Sequence, residues 1–130
     1  MQRISREDLR VRFLLPPEPR ARGAGPTLID AGTVTLVEAL PEPHYHAEHL
    51  PAAVNLPGHL TVELAATLAP DRTKMVITYC SGPSCGRSKV AAAAFTRLGH
   101  TDVRVYEGGK TDRAEAGLRF EGAGATPEAA

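Results

Sequence analysis

Apolar and β-branched residues come along this chain in short bursts set off by proline and glycine, and the spacing inside each burst predicts its structure. Met75-Val76-Ile77-Thr78-Tyr79 is apolar on both faces, as expected of a strand covered by helices on each side of a parallel sheet. Thr33-Val34-Thr35-Leu36-Val37 is a β-branched run suited to a second buried strand, and Val103-Arg104-Val105-Tyr106 to a third. Ala53-Val54-Asn55-Leu56, stopped by Pro57-Gly58, reads as a brief strand. Between these runs, Leu60, Leu64, Ala65 and Leu68 recur at helical spacing until Pro70-Asp71. A longer helix is expected from Arg87 to Leu98, closed by Gly99, with Ala91 to Ala94 small enough to let it lie close to a sheet. Gly108-Gly109 reads as a turn and Thr111 to Ala116 as a short last helix. Strands alternating with helices predict an α/β fold with a mostly parallel central sheet flanked by helices on both faces.

The flanks are less regular. Ser5-Arg6-Glu7-Asp8 has the form of a capping box, and Leu9, Phe13 and Leu14 share one face of the short helix it would start. Pro16, Pro17 and Pro19, then Arg20 to Gly25, interrupt regular structure. Thr27 to Ala31 fits a short helix stopped by Gly32, and the stretch from Pro41 to Pro51 is turn-rich with one helical piece. The expected division is an N-terminal arm and linker over 1–25, one domain over 26–122, and a disordered Ala/Gly/Glu tail over 123–130.

A chain of 130 residues is long enough for one hydrophobic core. Its 15 basic and 15 acidic residues balance, so no overall field draws it to nucleic acid or to an anionic membrane. Apolar runs such as Val90 to Phe95 fall short of the roughly 20 residues of a membrane helix, and Met1-Gln2-Arg3-Ile4 opens no signal-peptide core. A soluble, cytoplasmic protein without nucleic-acid or membrane partners is expected. In a reducing compartment two cysteines point to chemistry rather than to a disulfide scaffold.

Cys80 is the first residue past the most apolar strand, and in open α/β sheets ligands bind beyond the carboxyl ends of the strands. The loop Ser81-Gly82-Pro83-Ser84-Cys85-Gly86 then enters a helix, whose first amides and dipole favour an anion. Arg87 and Ser88 add a planar cation and a hydroxyl at the first turn, so both are expected to lower the pKa of Cys80 and to hold an anionic substrate. Cys80 is thus the candidate nucleophile, with Ser81, Gly82, Ser84, Cys85, Gly86, Arg87 and Ser88 as substrate-binding residues. The bland alternative makes Cys80 a small buried hydrophobe at a strand end. Cys85 reads either as a resolving thiol that attacks an oxidised or persulfidated Cys80 or as loop packing. His44, His46 and His49 lie close together, but their flanking prolines and lack of neighbouring cysteines match no zinc spacing, so neither metal nor cofactor is expected. His44, His46 and His100 are expected on the surface.

Two segments carry a family resemblance. Val37-Glu38-Ala39-Leu40-Pro41-Glu42-Pro43-His44-Tyr45-His46-Ala47-Glu48-His49-Leu50-Pro51-Ala52-Ala53-Val54-Asn55-Leu56-Pro57 is similar to the amino-terminal signature of the rhodanese family of sulfurtransferases. Val76-Ile77-Thr78-Tyr79-Cys80 with its glycine-bearing loop, and Glu107-Gly108-Gly109 beyond it, resemble that family's active-site and carboxyl-terminal segments. The resemblance implies sulfane-sulfur transfer: the Cys80 thiolate takes sulfur from thiosulfate or a persulfide, with Arg87 on the donor's anionic end. A small thiol, cyanide or a protein cysteine then removes it. It also implies a structural role for His49. The chain departs from the pattern in four ways, the first being Glu48-His49 in place of the family's Gly-His. Glu38-Ala39-Leu40 lacks the arginine usual there and with it any ion pair; Arg113 stands where the family often has tryptophan; and six residues separate Cys80 from Arg87, a longer loop than usual. The Cys-x-Gly-Pro-x-Cys loop is found in a subset of single-domain members. The longer loop keeps two alternatives open: a phosphatase or arsenate-reductase-like oxyanion enzyme, with Glu107 or Asp112 as the acid, and a non-catalytic binding module.

Overall fold

The computed structural model describes residues 2–9 and 34–124. Its elements in chain order are β1 (Gln2–Arg3), α1 (Arg6–Asp8), β2 (Val34–Glu38), α2 (Glu42–Ala47), β3 (Val54–Asn55), α3 (Val62–Leu68), β4 (Met75–Tyr79), α4 (Arg87–Arg97), β5 (Val103–Tyr106) and α5 (Gly109–Glu115). The strands form one sheet in the order β1-β5-β4-β2-β3, and every pairing is parallel. β4 is central, its five residues running from Val34↔Met75 to Glu38↔Tyr79 against β2.

Side chains alternate between the two faces, as a strand's period of two requires. Leu36, Ile77, Tyr79 and Tyr106 pack on one side with Leu50, and Val37, Val76, Val103 and Val105 on the other with Ala65, Ala92 and Phe95. Both faces are therefore dry, which is why β4 reads as a continuous apolar run. Ala91 and Ala92 are buried beneath α4, and their small side chains seat this helix close to β4 and β5.

The caps expected at Ser5 and Gly99 are in place, and α3 has a further one at Thr61. Ser5 accepts from the Asp8 amide at 3.1 Å, and Thr61 starts α3 by accepting from the Leu64 amide at 3.1 Å. Gly99, at φ +98, follows the end of α4. Leu64, grouped with the apolar positions of α3, is 37 % exposed, and the last helix starts earlier than expected, at Gly109.

Three expectations are corrected. The start of the arm is packed on the domain: Gln2–Arg3 form β1 at the sheet edge beside β5, the Ile4 amide donates to Val105 O at 2.9 Å, Ile4 and Leu9 are core residues, and the expected short helix is α1. His100 is buried, not on the surface, with its ring nitrogens 3.2 Å from Phe95 O and 3.0 Å from Ala69 O. The ion pair taken as lost at Glu38 exists with a different cation, as described below. The linker over Pro16 to Gly25 and the helix over Thr27 to Ala31 lie outside the described residues, as does most of the tail.

Candidate active site

β4 delivers Cys80 to the carboxyl edge of the sheet, and the chain turns at once. The Cys85 amide donates to Gly82 O at 3.0 Å, closing the turn that leads into α4, and Thr78 Oγ1 donates to Ser88 O at 2.8 Å, tying the strand to the helix's first turn. The other side of the loop is pinned to the start of α5. Lys110 N donates to Cys80 O at 3.1 Å, Thr111 N to Ser81 O at 2.8 Å, and Thr111 Oγ1 to the same oxygen at 2.9 Å. The approach is too close for side chains: a Cβ on Gly109, at φ +58, would run into Cys80 O and come within 2.9 Å of Gly82 N. The Gly108-Gly109 pair of the sequence is thus the seat of the cysteine loop.

Cys80 is 2 % exposed, with its sulfur 3.4 Å from both Cys85 O and Ser88 Oγ. Burial, and next the contact with the Cys85 thiol, push its pKa above that of an ordinary thiol, against opposing hydrogen bonds from the Ser88 hydroxyl and amide. This corrects the expectation that Arg87 and Ser88 together make Cys80 acidic. Ser88 acts in the expected sense, but Arg87 is exposed, makes no ion pair among the described residues and does not contribute. At Cys85 burial also opposes ionisation, yet hydrogen bonds from the Cys80 thiol, the Arg87 amide, and the Ser81 amide and hydroxyl outweigh it and bring this thiol below the ordinary range. The backbone cradle read from the glycines thus serves Cys85. Both cysteines are free.

Of the sequence-predicted residues, Cys80, Ser81, Cys85 and Ser88 are brought together, and the Arg87 amide joins them while its guanidinium faces outward. Gly82 is buried against Thr111; a Cβ there would meet Thr111 Oγ1 at 2.8 Å. Ser84 and Gly86 are exposed.

Beneath the loop lies a cluster the sequence did not reveal. Glu38 is fully buried at the end of β2, where Oε1 accepts from Tyr79 Oη at 2.6 Å and Oε2 lies 3.0 Å from Lys110 Nζ. Tyr79 Oη accepts in turn from the Leu50 amide at 3.0 Å, and Lys110 Nζ donates to His44 O at 3.0 Å. Lys110 therefore holds the Cys80 carbonyl through its backbone and the Glu38 carboxylate through its side chain, replacing the arginine absent after Glu38. Its sequence signal was its place directly after Glu-Gly-Gly.

The other candidates are structural. His49 stacks on Tyr45 with ring centroids 3.9 Å apart and places Nδ1 2.7 Å from Tyr45 O. Glu107 is held between Arg3 at 3.1 Å and Lys89 at 3.0 Å; the Lys89 contact, more than that of Arg3, lowers its pKa. Asp112 accepts from Tyr106 Oη at 2.6 Å and pairs with Arg6 at 3.0 Å. Among the described residues no group of His, Cys, Asp or Glu is arranged to hold a metal ion.

A doubly wound parallel sheet with a cysteine at the carboxyl end of its central strand, under a glycine loop that opens a helix, defines a class of α/β cysteine-loop domains. Within that class this chain belongs to the rhodanese-like domain family, whose profile matches residues 26–115. The BH2092 protein from Bacillus halodurans is similar in structure, with a TM-score of 0.73 and 25% identity, over 95% of this chain and 79% of that one. So is a rhodanese with anions from E. coli, with a TM-score of 0.57 and 26% identity, over 69% of this chain and 99% of that one. A curated relative, the HTH-type transcriptional regulator Rv0324 of Mycobacterium tuberculosis, is 33% identical over 79 residues, which is 61% of this chain and 34% of the relative. The chain thus spans about a third of that relative's length.

Proposed function

We propose that this domain transfers sulfane sulfur through a persulfide on Cys80. The observation that carries the reading is the Cys80 sulfur at the end of β4, 3.4 Å from the Ser88 hydroxyl at the first turn of α4. That hydroxyl and the Ser88 amide stabilise negative charge on sulfur, as a thiolate nucleophile requires. The Cys80 thiolate attacks the outer sulfur of thiosulfate; a sulfur–sulfur bond forms, the bond to the sulfonate breaks, and sulfite leaves with the electron pair. A thiol or cyanide then attacks the terminal sulfur and Cys80 departs as a thiolate. Arg87, exposed at the loop's edge, meets the anionic end of the donor.

The phosphatase reading needs an acid for the leaving group. Glu107 is committed to two cations and Asp112 to Tyr106 and Arg6, which weighs against both. The binding-module reading draws on the burial of Cys80.

Incubation with thiosulfate followed by intact-mass measurement separates these readings. The expected result is a gain of one sulfur that cyanide removes as thiocyanate and that Cys80→Ser abolishes. Hydrolysis of an aryl phosphate without mass gain favours the phosphatase; neither activity in a folded protein favours the binding module.

A further inference from the structure

An apolar groove of about 630 Å³ begins at the cysteine loop and follows α4. Arg87, Val90, Ala94 and Arg97, spaced at helical intervals, form its wall on α4, and His59 and Leu60 face them. The two arginines are ten residues apart on one helix, about 15 Å at ~1.5 Å per residue. Both are exposed, neither is in an ion pair among the described residues, and no acidic residue lines the groove. Between them Val90 is 65% exposed, an apolar side chain presented to solvent in line with two cations.

We propose that this groove docks an extended segment of a partner protein, apolar in the middle and acidic at both ends, that carries the cysteine exchanging sulfur with Cys80. An extended chain covers about 15 Å in four to five residues at roughly 3.3 Å each, so acidic residues five positions apart meet Arg87 and Arg97 together. Inorganic thiosulfate fills only the loop end of such a groove; a peptide segment uses its length, its apolar floor and both charges. The proposal rests on the sulfur-transfer reading of Cys80. The partner thiolate attacks the terminal sulfur of the Cys80 persulfide, the new sulfur–sulfur bond forms on the partner, and Cys80 leaves as a thiolate without net oxidation.

The test is calorimetric titration of the full chain with a capped peptide, Glu-Ser-Leu-Val-Ala-Glu, and with the same peptide ending in lysine at both positions. The first is expected to bind at least about tenfold more tightly, with the preference shrinking as salt rises. Arg97→Glu and Val90→Glu should each weaken it on the order of tenfold, whereas Val62→Glu on the exposed side of α3 should not. Arg97→Glu should also improve binding of the lysine-ended peptide, a gain that misfolding cannot imitate. Equal binding of the two peptides, no binding, or an equal loss in Val62→Glu overturns the proposal. So does a dimer that Val90→Glu dissolves while the peptide fails to bind, which makes the groove an interface between copies. The peptide contains serine for cysteine, so binding is read without sulfur chemistry. Peptide binding without thiosulfate uptake counts against the function alone, and uptake without peptide binding against the groove alone.

Discussion

At the scale of single residues the two cysteines divide the properties expected of one. Cys80 has the strand-end position and the Ser88 contact, while Cys85 has the loop amides. The Cys85 contact adds to burial in raising the Cys80 pKa, so Cys85→Ala should move the pH profile of Cys80 alkylation by iodoacetamide toward lower pH. An unmoved midpoint would show that the sulfurs do not communicate; unchanged turnover in this variant would leave Cys85 without a resolving role. A second residue is strained in the backbone. Ala52 has φ +67, a conformation that glycine adopts without penalty, so Ala52→Gly should stabilise the fold by about 0.5 kcal/mol in a denaturant titration.

At the scale of elements, His100 joins two helix ends. Its ring nitrogens lie near Ala69 O, at the end of α3, where a last-turn carbonyl needs a donor, and near Phe95 O in α4, which already accepts from the Leu98 and His100 amides. His100→Ala should cost about 1–3 kcal/mol of stability, measured by chemical unfolding, because it leaves a buried carbonyl unsatisfied and opens space beside Phe95. Glycine followed by histidine marks the end of a helix well in a sequence but does not show that the next turn folds inward. By contrast β4 and α4 were legible, since apolar residues on both strand faces and the Ala91 to Ala94 run are local signs of a two-sided core. β1 was not: Gln2-Arg3 is short and polar, and becomes a strand only because β5 offers it an edge. The position of Cys80 was legible for the same reason as β4. The direction of its ionisation was not, because burial is a property of the packed loop. Lys110 stayed hidden as the partner of Glu38 because they meet only across β4: β2 pairs Glu38 with Tyr79, and α5 docks Lys110 on the Cys80 carbonyl just beyond it.

At the scale of the whole molecule, the sheet is a frame on which the cysteine loop is held from two directions. α4 receives it through Thr78 and Ser88, and α5 supports it through Lys110 and Thr111. Both supports lie at the carboxyl ends of β4, which is paired on both sides, and of its neighbour β5, so the loop is positioned by the centre of the sheet. No helix among the described residues is long and apolar enough to cross a membrane.

The phenols of this core give the molecule an optical property of its own. The chain has three tyrosines and no tryptophan, and all three tyrosines are held above the ordinary phenol range, Tyr45, Tyr79 and Tyr106 each chiefly by burial. A folded-state pKa raised above the unfolded value contributes stability below about pH 10, and that contribution fades as the unfolded chain ionises above it. Alkaline titration followed by tyrosinate absorbance should therefore release the colour of the buried Tyr79 and Tyr106 only when the fold opens, in a steep step coincident with loss of helical circular dichroism, while the half-buried Tyr45 ionises earlier. Gradual ionisation of all three phenols near pH 10, with the dichroism intact, would contradict the burial of the Tyr79 and Tyr106 rings. The protein thus carries an intrinsic dye whose appearance reports the opening of the sheet.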